Sequence, residues 1–300
     1  MAAKDNSCSS IILDAIIHSS LVFLLIVTLF PVLHIASVSL SSSSAFAKGI
    51  VGFYPREFTF AAYKMIWEAG KVSNGLLNSI LYTAAGTFVN LVMTATMAYP
   101  LSKKALPLRG FYTMVVLITM FFSGGMIPNF LLVRSLGFYN TLWAMILPGA
   151  ISTWNLIIMR TFFQSIPNEL EESAFIDGAN DIQVLVRIIL PLSKAATATL
   201  GLFYAVGHWN SWFPALMYLK DNDKYPLQLI LRSIVIQGQV AQELAQQGDL
   251  SALEAMGIGA TTAESIKYAT LFVSMLPMLL IYPFIQKYFV KGVMIGSLKG

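Results

Sequence analysis

The stretch that decides the fold is a polar segment between two apolar ones. Residues 168–191 read NELEESAFIDGANDIQVLVRIILP. Three glutamates fall in the first turn of a predicted helix, where the positive end of the helix dipole favours acids. We expect Asn168 to be the N-cap, with Glu171 completing a capping box. Gly178 is the expected stop, because glycine adopts the left-handed conformation without strain.

A second short helix is predicted to start at Asn180 or Asp181 and to end before Pro191, which cannot continue a helix. The first helix would have only about ten residues, too few to be stable alone in water. It must therefore dock on something. Ala174 and Gly178 are small and four residues apart, so another backbone could approach closely there. The pattern predicts a helix-turn-helix that fits into a partner.

The composition excludes an ordinary soluble domain. Apolar residues make up 56% of the 300 residues and charged residues only 11%, whereas about a quarter of a soluble domain is charged. The net charge of +4 is modest and dispersed, which argues against a nucleic-acid surface. Cys8 is the single cysteine, so internal disulfides and cysteine-based metal clusters are excluded. No metal site is predicted, since the three histidines are scattered.

Apolar segments long enough to cross a hydrocarbon core of about 30 Å predict an all-α integral membrane protein with one transmembrane domain over residues 1–300. After the first segment, Ala45-x-Ala47 resembles a signal-peptide cleavage site. The apolar segment exceeds a signal-peptide core, however, which favours an uncleaved helix. The six predicted spans are residues 11–40, 77–101, 112–133, 140–163, 195–218 and 266–285.

Orientation follows from the short link between the second and third spans. It carries Lys103, Lys104 and Arg109 and no acid, so the positive-inside rule places it in the cytoplasm. Both termini are then cytoplasmic. Residues 164–193, which we call the polar loop, are also cytoplasmic, and residues 221–265 form an external loop.

Two features of the spans are open to more than one interpretation. Ser123, Gly124, Gly125 and Pro128 interrupt the third span, as either a packing kink or a broken helix that lines a translocation path. Aromatic and amide side chains on the fourth and fifth spans are suited to sugar, by stacking and hydrogen bonding, but could equally pack between helices or form an interfacial belt. This substrate-path set comprises Trp154, Asn155, Tyr204, Trp209, Asn210 and Trp212.

Motifs for chemistry on the chain itself are absent. There is no G-x-x-x-x-G-K-[ST] phosphate loop, no G-x-S-x-G elbow and no H-E-x-x-H helix. The chain is therefore not expected to be an enzyme, and any ATP hydrolysis would take place on a partner. Acids within the spans are nearly missing, which disfavours a proton- or sodium-coupled carrier.

The polar loop resembles the EAA loop of ATP-binding-cassette (ABC) importer permeases. The resemblance lies in the order Glu172-Ser173-Ala174, three residues, Gly178, nine residues, then Ile188-x-Leu190-Pro191, with Ser173 in place of the first usual alanine. It implies a coupling helix that inserts into a cytoplasmic ATPase. The implied ATPase-coupling residues are Glu172, Ser173, Ala174, Phe175, Asp177, Gly178, Ile188, Leu190 and Pro191.

The carboxy-terminal segment resembles one branch of the ABC importer permeases in particular. Residues 286–292, QKYFVKG, are similar to the tail of the smaller permease subunit in the maltose-type carbohydrate branch. That likeness implies a second ATPase contact by Gly296, Ser297, Leu298, Lys299 and Gly300. Residues 225–228, YPLQ, in the external loop look like the subgroup for complex oligosaccharides. The family's external loops touch a substrate-binding protein.

The resemblance implies a permease subunit of an importer that moves oligosaccharides across the bacterial cytoplasmic membrane by alternating access. It implies a second permease subunit, two cytoplasmic ABC ATPase subunits and an extracytoplasmic sugar-binding protein as partners. No cofactor is expected on this chain; ATP and Mg would bind to the ATPase. Two alternatives are an ABC permease for another solute, such as amino acids or phosphate, and a non-transporting membrane scaffold.

Overall fold

The computed structural model describes residues 8–68, 70–247 and 260–297. Within those ranges every regular element is helical, which confirms the predicted all-α class. A π-helical turn, Leu185–Ile189, lies between the short helices Asp181–Val184 and Leu190–Leu192, and 3-10 turns occupy Leu147–Gly149 and Asn222–Lys224. The helices are α1 Cys8–Ser39, α2 Ser43–Ala47, α3 Ala61–Glu68, α4 Lys71–Ser102, α5 Arg109–Phe121, α6 Met126–Ser135, α7 Leu142–Ile146, α8 Thr153–Gln164, α9 Glu169–Ile176, α10 Asp181–Val184, α11 Leu190–Leu192, α12 Lys194–Trp209, α13 Phe213–Tyr218, α14 Leu227–Gln247 and α15 Ala260–Ser297.

The chain forms two compact units, one of residues 1–70 with 233–275 and one of residues 71–232 with 276–300. In the first unit the serines after α1 have structural partners. Ser42 caps α2 by accepting from the backbone N–H of Ala45. Ser42 and Ser44 both donate to the Glu57 carboxylate, and these hydrogen bonds lower the pKa of Glu57. The serine run therefore fastens the loop that follows α1.

Three helical stretches are individually long and apolar enough to cross a membrane: Ile12–Ser39, Lys71–Ser102 and Glu264–Ile281. Three bent pairs meet the same criterion only as pairs, which gives up to six crossings by length and composition within the described residues. These pairs are Arg109–Phe121 with Met126–Ser135, bent by 115°, Leu142–Gly149 with Thr153–Gln164, bent by 59°, and Asp181–Leu192 with Lys194–Trp209, bent by 87°.

The predicted third span is broken rather than kinked. Helix α5 has 13 residues and its chain direction turns by 115° before α6 begins. Gly125, at the turn, has φ +86°, a conformation that favours glycine. A 13-residue helix is roughly 20 Å long, short of the roughly 30 Å hydrocarbon core. Of the two interpretations of the interruption, the structure thus favours a break, while its role in a path stays a prediction.

The predicted fifth span, residues 195–218, contains two helices. Helix α12 ends at Trp209, and α13 begins at Phe213. The predicted external loop then starts close to α4: the Ser79 hydroxyl accepts from the Leu227 N–H at 2.8 Å, and the Asn78 amide donates to the Asp223 carbonyl at 2.7 Å. Helix α14 accounts for much of the rest of residues 221–265, although residues 248–259 lie outside the described ranges.

Candidate functional site

The polar loop folds as two helices around a tight turn. Gly178 follows α9 with φ +84°, and its N–H donates to the Phe175 carbonyl at 3.0 Å. Asn180 then caps α10 through a complete capping box with Gln183, each bond measuring 2.9 Å. The glycine stop and the second helix start thus lie where the sequence predicts them.

Two local predictions in the loop are wrong. Asn168 precedes α9 in the α-helical region, with φ −65° and ψ −27°, and its side chain makes no capping hydrogen bond. Glu171 does not fold back onto Asn168, because its carboxylate binds elsewhere. Nor does Pro191 lie beyond the helix: the helical course continues to Leu192. Pro191 lies directly after the π-helical turn, as the second residue of α11.

Glu171 joins the loop to the end of α4. The Lys103 ammonium donates to both oxygens of the Glu171 carboxylate, and the Tyr99 hydroxyl donates to Oε2 at 3.2 Å. Lys103 Nζ also lies 4.3 Å from the centre of the Tyr99 ring. The Glu171 side chain is only 6% exposed and that of Lys103 28%. Local sequence patterns do not predict this buried cluster, because Lys103 and Glu171 are 68 positions apart.

A hydrophobic core lies under the second half of the loop. Val184, Leu185 and Ile189 are buried and pack in one cluster with residues of α4, α5, α8 and α12. Two predicted coupling residues, Ile188 and Leu190, are partly buried against the same cluster. The Lys103–Glu171 ion pair and this hydrophobic core together hold the polar loop against the rest of the second unit.

The remaining predicted coupling residues form the outer surface of the loop. Glu172, Ser173, Phe175, Asp177, Gly178 and Pro191 are exposed, and Ala174 is half-buried. Two apolar neighbours are even more open: Ile176 is 86% exposed and Ile182 73%. Neither isoleucine is among the predicted coupling residues, although exposed apolar side chains beside a polar turn indicate a contact surface.

A cavity of about 470 Å³ lies within the second unit, between α4, α7, α8, α12 and α13. Asn155 and Tyr204 from the substrate-path set line it, together with Asn90 and His208. We call it the Asn90–His208 cavity. Asn90 Oδ1 and His208 Nε2 are buried and have no hydrogen-bond partner among the described residues. Buried polar atoms are normally satisfied, so these two side chains would gain a partner by turning toward water or a solute in the cavity.

The Tyr204 hydroxyl, in contrast, is already engaged. It is 2.7 Å from Thr94 Oγ1 and accepts from the Ser152 N–H at 3.1 Å. Ser152 in turn caps α8. Tyr204 therefore ties α12 to α4 and to the start of α8, and its ring rather than its hydroxyl is free for a solute.

The rest of the substrate-path set does not line this cavity. Trp154 is 60% exposed, whereas Trp209 is buried. Asn210 follows α12 and donates its amide to the Val206 carbonyl at 3.0 Å. The Trp212 ring lies beneath the Arg232 guanidinium, at 3.7 Å. The structure thus brings together two of the six residues.

The Asn90–His208 cavity depends on a close approach at Gly86. A Cβ on Gly86 would lie 2.4 Å from His208 Nε2 and within 2.7 Å of two further ring atoms. We expect Gly86→Ala to push the ring and separate α4 from α12, destabilising the protein by about 1–3 kcal/mol. Thermal unfolding of the purified protein measures this. Gly207→Ala is the control, since nothing lies within 4 Å of its Cβ position; equal stability of the two variants would contradict the packing.

The predicted ATPase contact of residues 296–300 falls partly outside the part of the chain that the structure describes. Gly296 and Ser297 form the end of α15, and Leu298, Lys299 and Gly300 lie outside the described residues. This contact therefore stays a prediction.

Long apolar helices, three sharply bent pairs and a docked polar helix-turn-helix define a multi-pass membrane transport subunit. The chain belongs to the family of binding-protein-dependent transport system inner membrane components, whose profile matches residues 76–295. This membership confirms the resemblance to ABC importer permeases that the polar loop indicated.

Relatives match over almost the whole chain. The polygalacturonan/rhamnogalacturonan transport system permease protein YtcP of Bacillus subtilis (strain 168) is 42% identical, over 96% of this chain and 98% of its own. Protein LplC of the same organism is 44% identical, over 91% of this chain and 90% of its own. A chain from the crystal structure of a bacterial ABC transporter involved in the import of the acidic polysaccharide alginate superposes with a TM-score of 0.84 at 31% identity, over 96% of this chain and 100% of that one.

Proposed function

We propose that this chain is a permease subunit of an ATP-driven importer that moves oligosaccharides across the bacterial cytoplasmic membrane by alternating access. The observation that carries the proposal is the near full-length similarity to a permease for polygalacturonan and rhamnogalacturonan. The exposed face of the polar loop supports it, because a transport subunit without a phosphate loop needs a surface on which a separate ATPase can act.

The proposed ATPase contact is made by the outer surface of α9 and α10. Phe175 is 44% exposed and Ile176 86%, and an exposed apolar patch commonly marks a protein interface. Glu172, Ser173 and Asp177 add polar groups around it. The Lys103–Glu171 pair and the core under the loop would transmit a push on this surface to α4 and α8, because they leave the loop little freedom to move alone.

Several finer points belong to the same proposal. The partners are a second permease subunit, two cytoplasmic ABC ATPase subunits that bind ATP and Mg, and an extracytoplasmic sugar-binding protein. Both termini and residues 164–193 lie in the cytoplasm, residues 221–265 lie outside, and the chain crosses the membrane six times. Residues 296–300 make a second contact with the ATPase, and this chain itself catalyses no reaction.

The lining of the Asn90–His208 cavity supports a hydroxyl-rich solute. It includes two amides, two serines and several aromatic residues, and it contains no Asp, Glu, Lys or Arg. Such groups donate and accept hydrogen bonds without requiring a charged ligand. Within the substrate-path set we therefore retain Asn155 and the Tyr204 ring as direct contacts, and we add Asn90 and His208.

The experiment that tests the proposal is affinity purification of the tagged chain from detergent-solubilised membranes of its native host. We expect a cassette ATPase, a second permease and a sugar-binding protein to co-purify, and the isolated binding protein to bind an oligosaccharide. Recovery of the stable chain without an ATPase would support a scaffold instead. A co-purifying binding protein that takes an amino acid or phosphate would contradict the sugar assignment alone.

A further inference from the structure

A second pocket, of about 370 Å³, lies between α5 and α8. It shares no residue with the Asn90–His208 cavity. Arg109 and Arg160 both line it, so we call it the arginine pocket. The other lining residues are Gly110, Thr113, Met114 and Leu117.

The arginine pocket contains positive charge without a counter-charge. None of its lining residues is acidic, and neither arginine belongs to an ion pair in the described part of the chain. Arg109 Nε donates to the Leu101 carbonyl at 3.0 Å. Arg160 Nε is buried and has no hydrogen-bond partner among the described residues. Two guanidinium groups that line one pocket without an acidic neighbour favour a bound anion.

Apolar side chains extend from the charged end along one face of α5. Arg109, Thr113 and Leu117 are spaced four apart, as are Gly110 and Met114, so these residues form a stripe. Met114 is 61% exposed and Leu117 37%. Nothing lies within 4 Å of the position a Gly110 Cβ would take, which leaves space beside the guanidinium groups. The pocket thus has a cationic end, a small gap and an apolar continuation.

We propose that Arg109 and Arg160 bind the phosphate of an anionic phospholipid whose acyl chain lies along Met114 and Leu117. Two guanidinium groups match a phosphate well, because each presents planar pairs of donors. Basic pockets between helices at a membrane surface are suited to anionic headgroups. Free inorganic phosphate would satisfy the arginines equally but would leave the apolar stripe uncovered. The proposal does not depend on which solute is transported.

The test uses the complete complex in nanodiscs of phosphatidylcholine mixed with phosphatidylglycerol, with retained lipid counted by native mass spectrometry. We expect wild-type protein to retain phosphatidylglycerol preferentially, and Arg109→Gln/Arg160→Gln to retain about tenfold less, since charged hydrogen bonds are lost. Lys104→Gln is the matched control, because Lys104 is an exposed lysine in the same basic link. It should retain as much as wild type.

Three results would overturn the proposal. One is equal retention by the double variant and wild type. Another is an equal loss in Lys104→Gln, which would indicate general surface charge. The third is displacement of the lipid by millimolar inorganic phosphate, which would indicate a site for the phosphate group alone. Arg160→Lys controls for misfolding, because it keeps the positive charge. It lacks the planar pair of donors, so we expect it to retain an intermediate amount of phosphatidylglycerol.

Discussion

Glu171→Lys is expected to reduce binding-protein-stimulated ATP hydrolysis by the assembled complex to near its basal rate. The Glu171 side chain is 6% exposed, and its carboxylate accepts hydrogen bonds from Lys103 and Tyr99. Replacing it with an ammonium group places two positive charges together at a buried position, and breaking a buried pair costs about 3–5 kcal/mol. The polar loop should then lose its attachment to α4, so that a movement of the loop no longer reaches the membrane helices.

Two further variants separate this effect from a general change in charge. Glu169→Lys makes the same substitution at an exposed position in the first turn of α9, and we expect it to keep most of the stimulation. Glu171→Lys/Lys103→Glu restores opposite charges and should recover part of it. If Glu171→Lys is stimulated as strongly as Glu169→Lys, the ion pair does not couple the loop to α4.

Gly178→Trp is expected to abolish uptake while the chain still inserts into the membrane at its normal level. Gly178 has φ +84°, and nothing lies within 4 Å of the position of its Cβ. The Cβ of a tryptophan there has open space, and its indole would project from the surface that we propose for the ATPase. Transport of the binding protein's ligand into cells, with membrane levels measured by immunoblot, provides the readout.

Gly178→Ala is the matched control for backbone strain. A left-handed conformation costs any non-glycine residue roughly 1–2 kcal/mol, and alanine imposes that cost without the bulk of an indole. We expect Gly178→Ala to retain a large part of the uptake. Normal uptake by Gly178→Trp would place the ATPase contact elsewhere, and an equal loss in both variants would make backbone strain the cause.

The sequence predicts those parts of the polar loop that follow local rules. Gly178 stops a helix because of its own φ, and Asn180 starts one through a capping box with a residue three positions away. Asn168 and Glu171 also have the pattern of a capping box, but Lys103, far away in the sequence, binds the glutamate instead. A pattern within four residues cannot reveal such a distant competitor.

The breaks within the predicted membrane spans are also hard to predict from local sequence. Hydropathy measures the cost of placing side chains in lipid, and it does not report whether a helix is continuous. Gly124 and Gly125 indicate the break after α5, and Asn210, Ser211 and Pro214 flank the break between Trp209 and Phe213, which hydropathy alone does not show. The substrate-path set rests on residue type alone, so it includes Trp212 and omits Asn90 and His208, which line the same cavity.

The π-helical turn at Leu185–Ile189 gives the spacing of the coupling motif a geometric meaning. Such a turn takes up one residue more than an α-helical turn, and each residue of an α-helix rotates the chain by about 100°. Loss of one residue from this turn would leave normal helical hydrogen bonding. It would also rotate Leu190 and the residues after it by about 100° around the helix axis. The nine residues between Gly178 and Ile188 therefore specify an angle as much as a length.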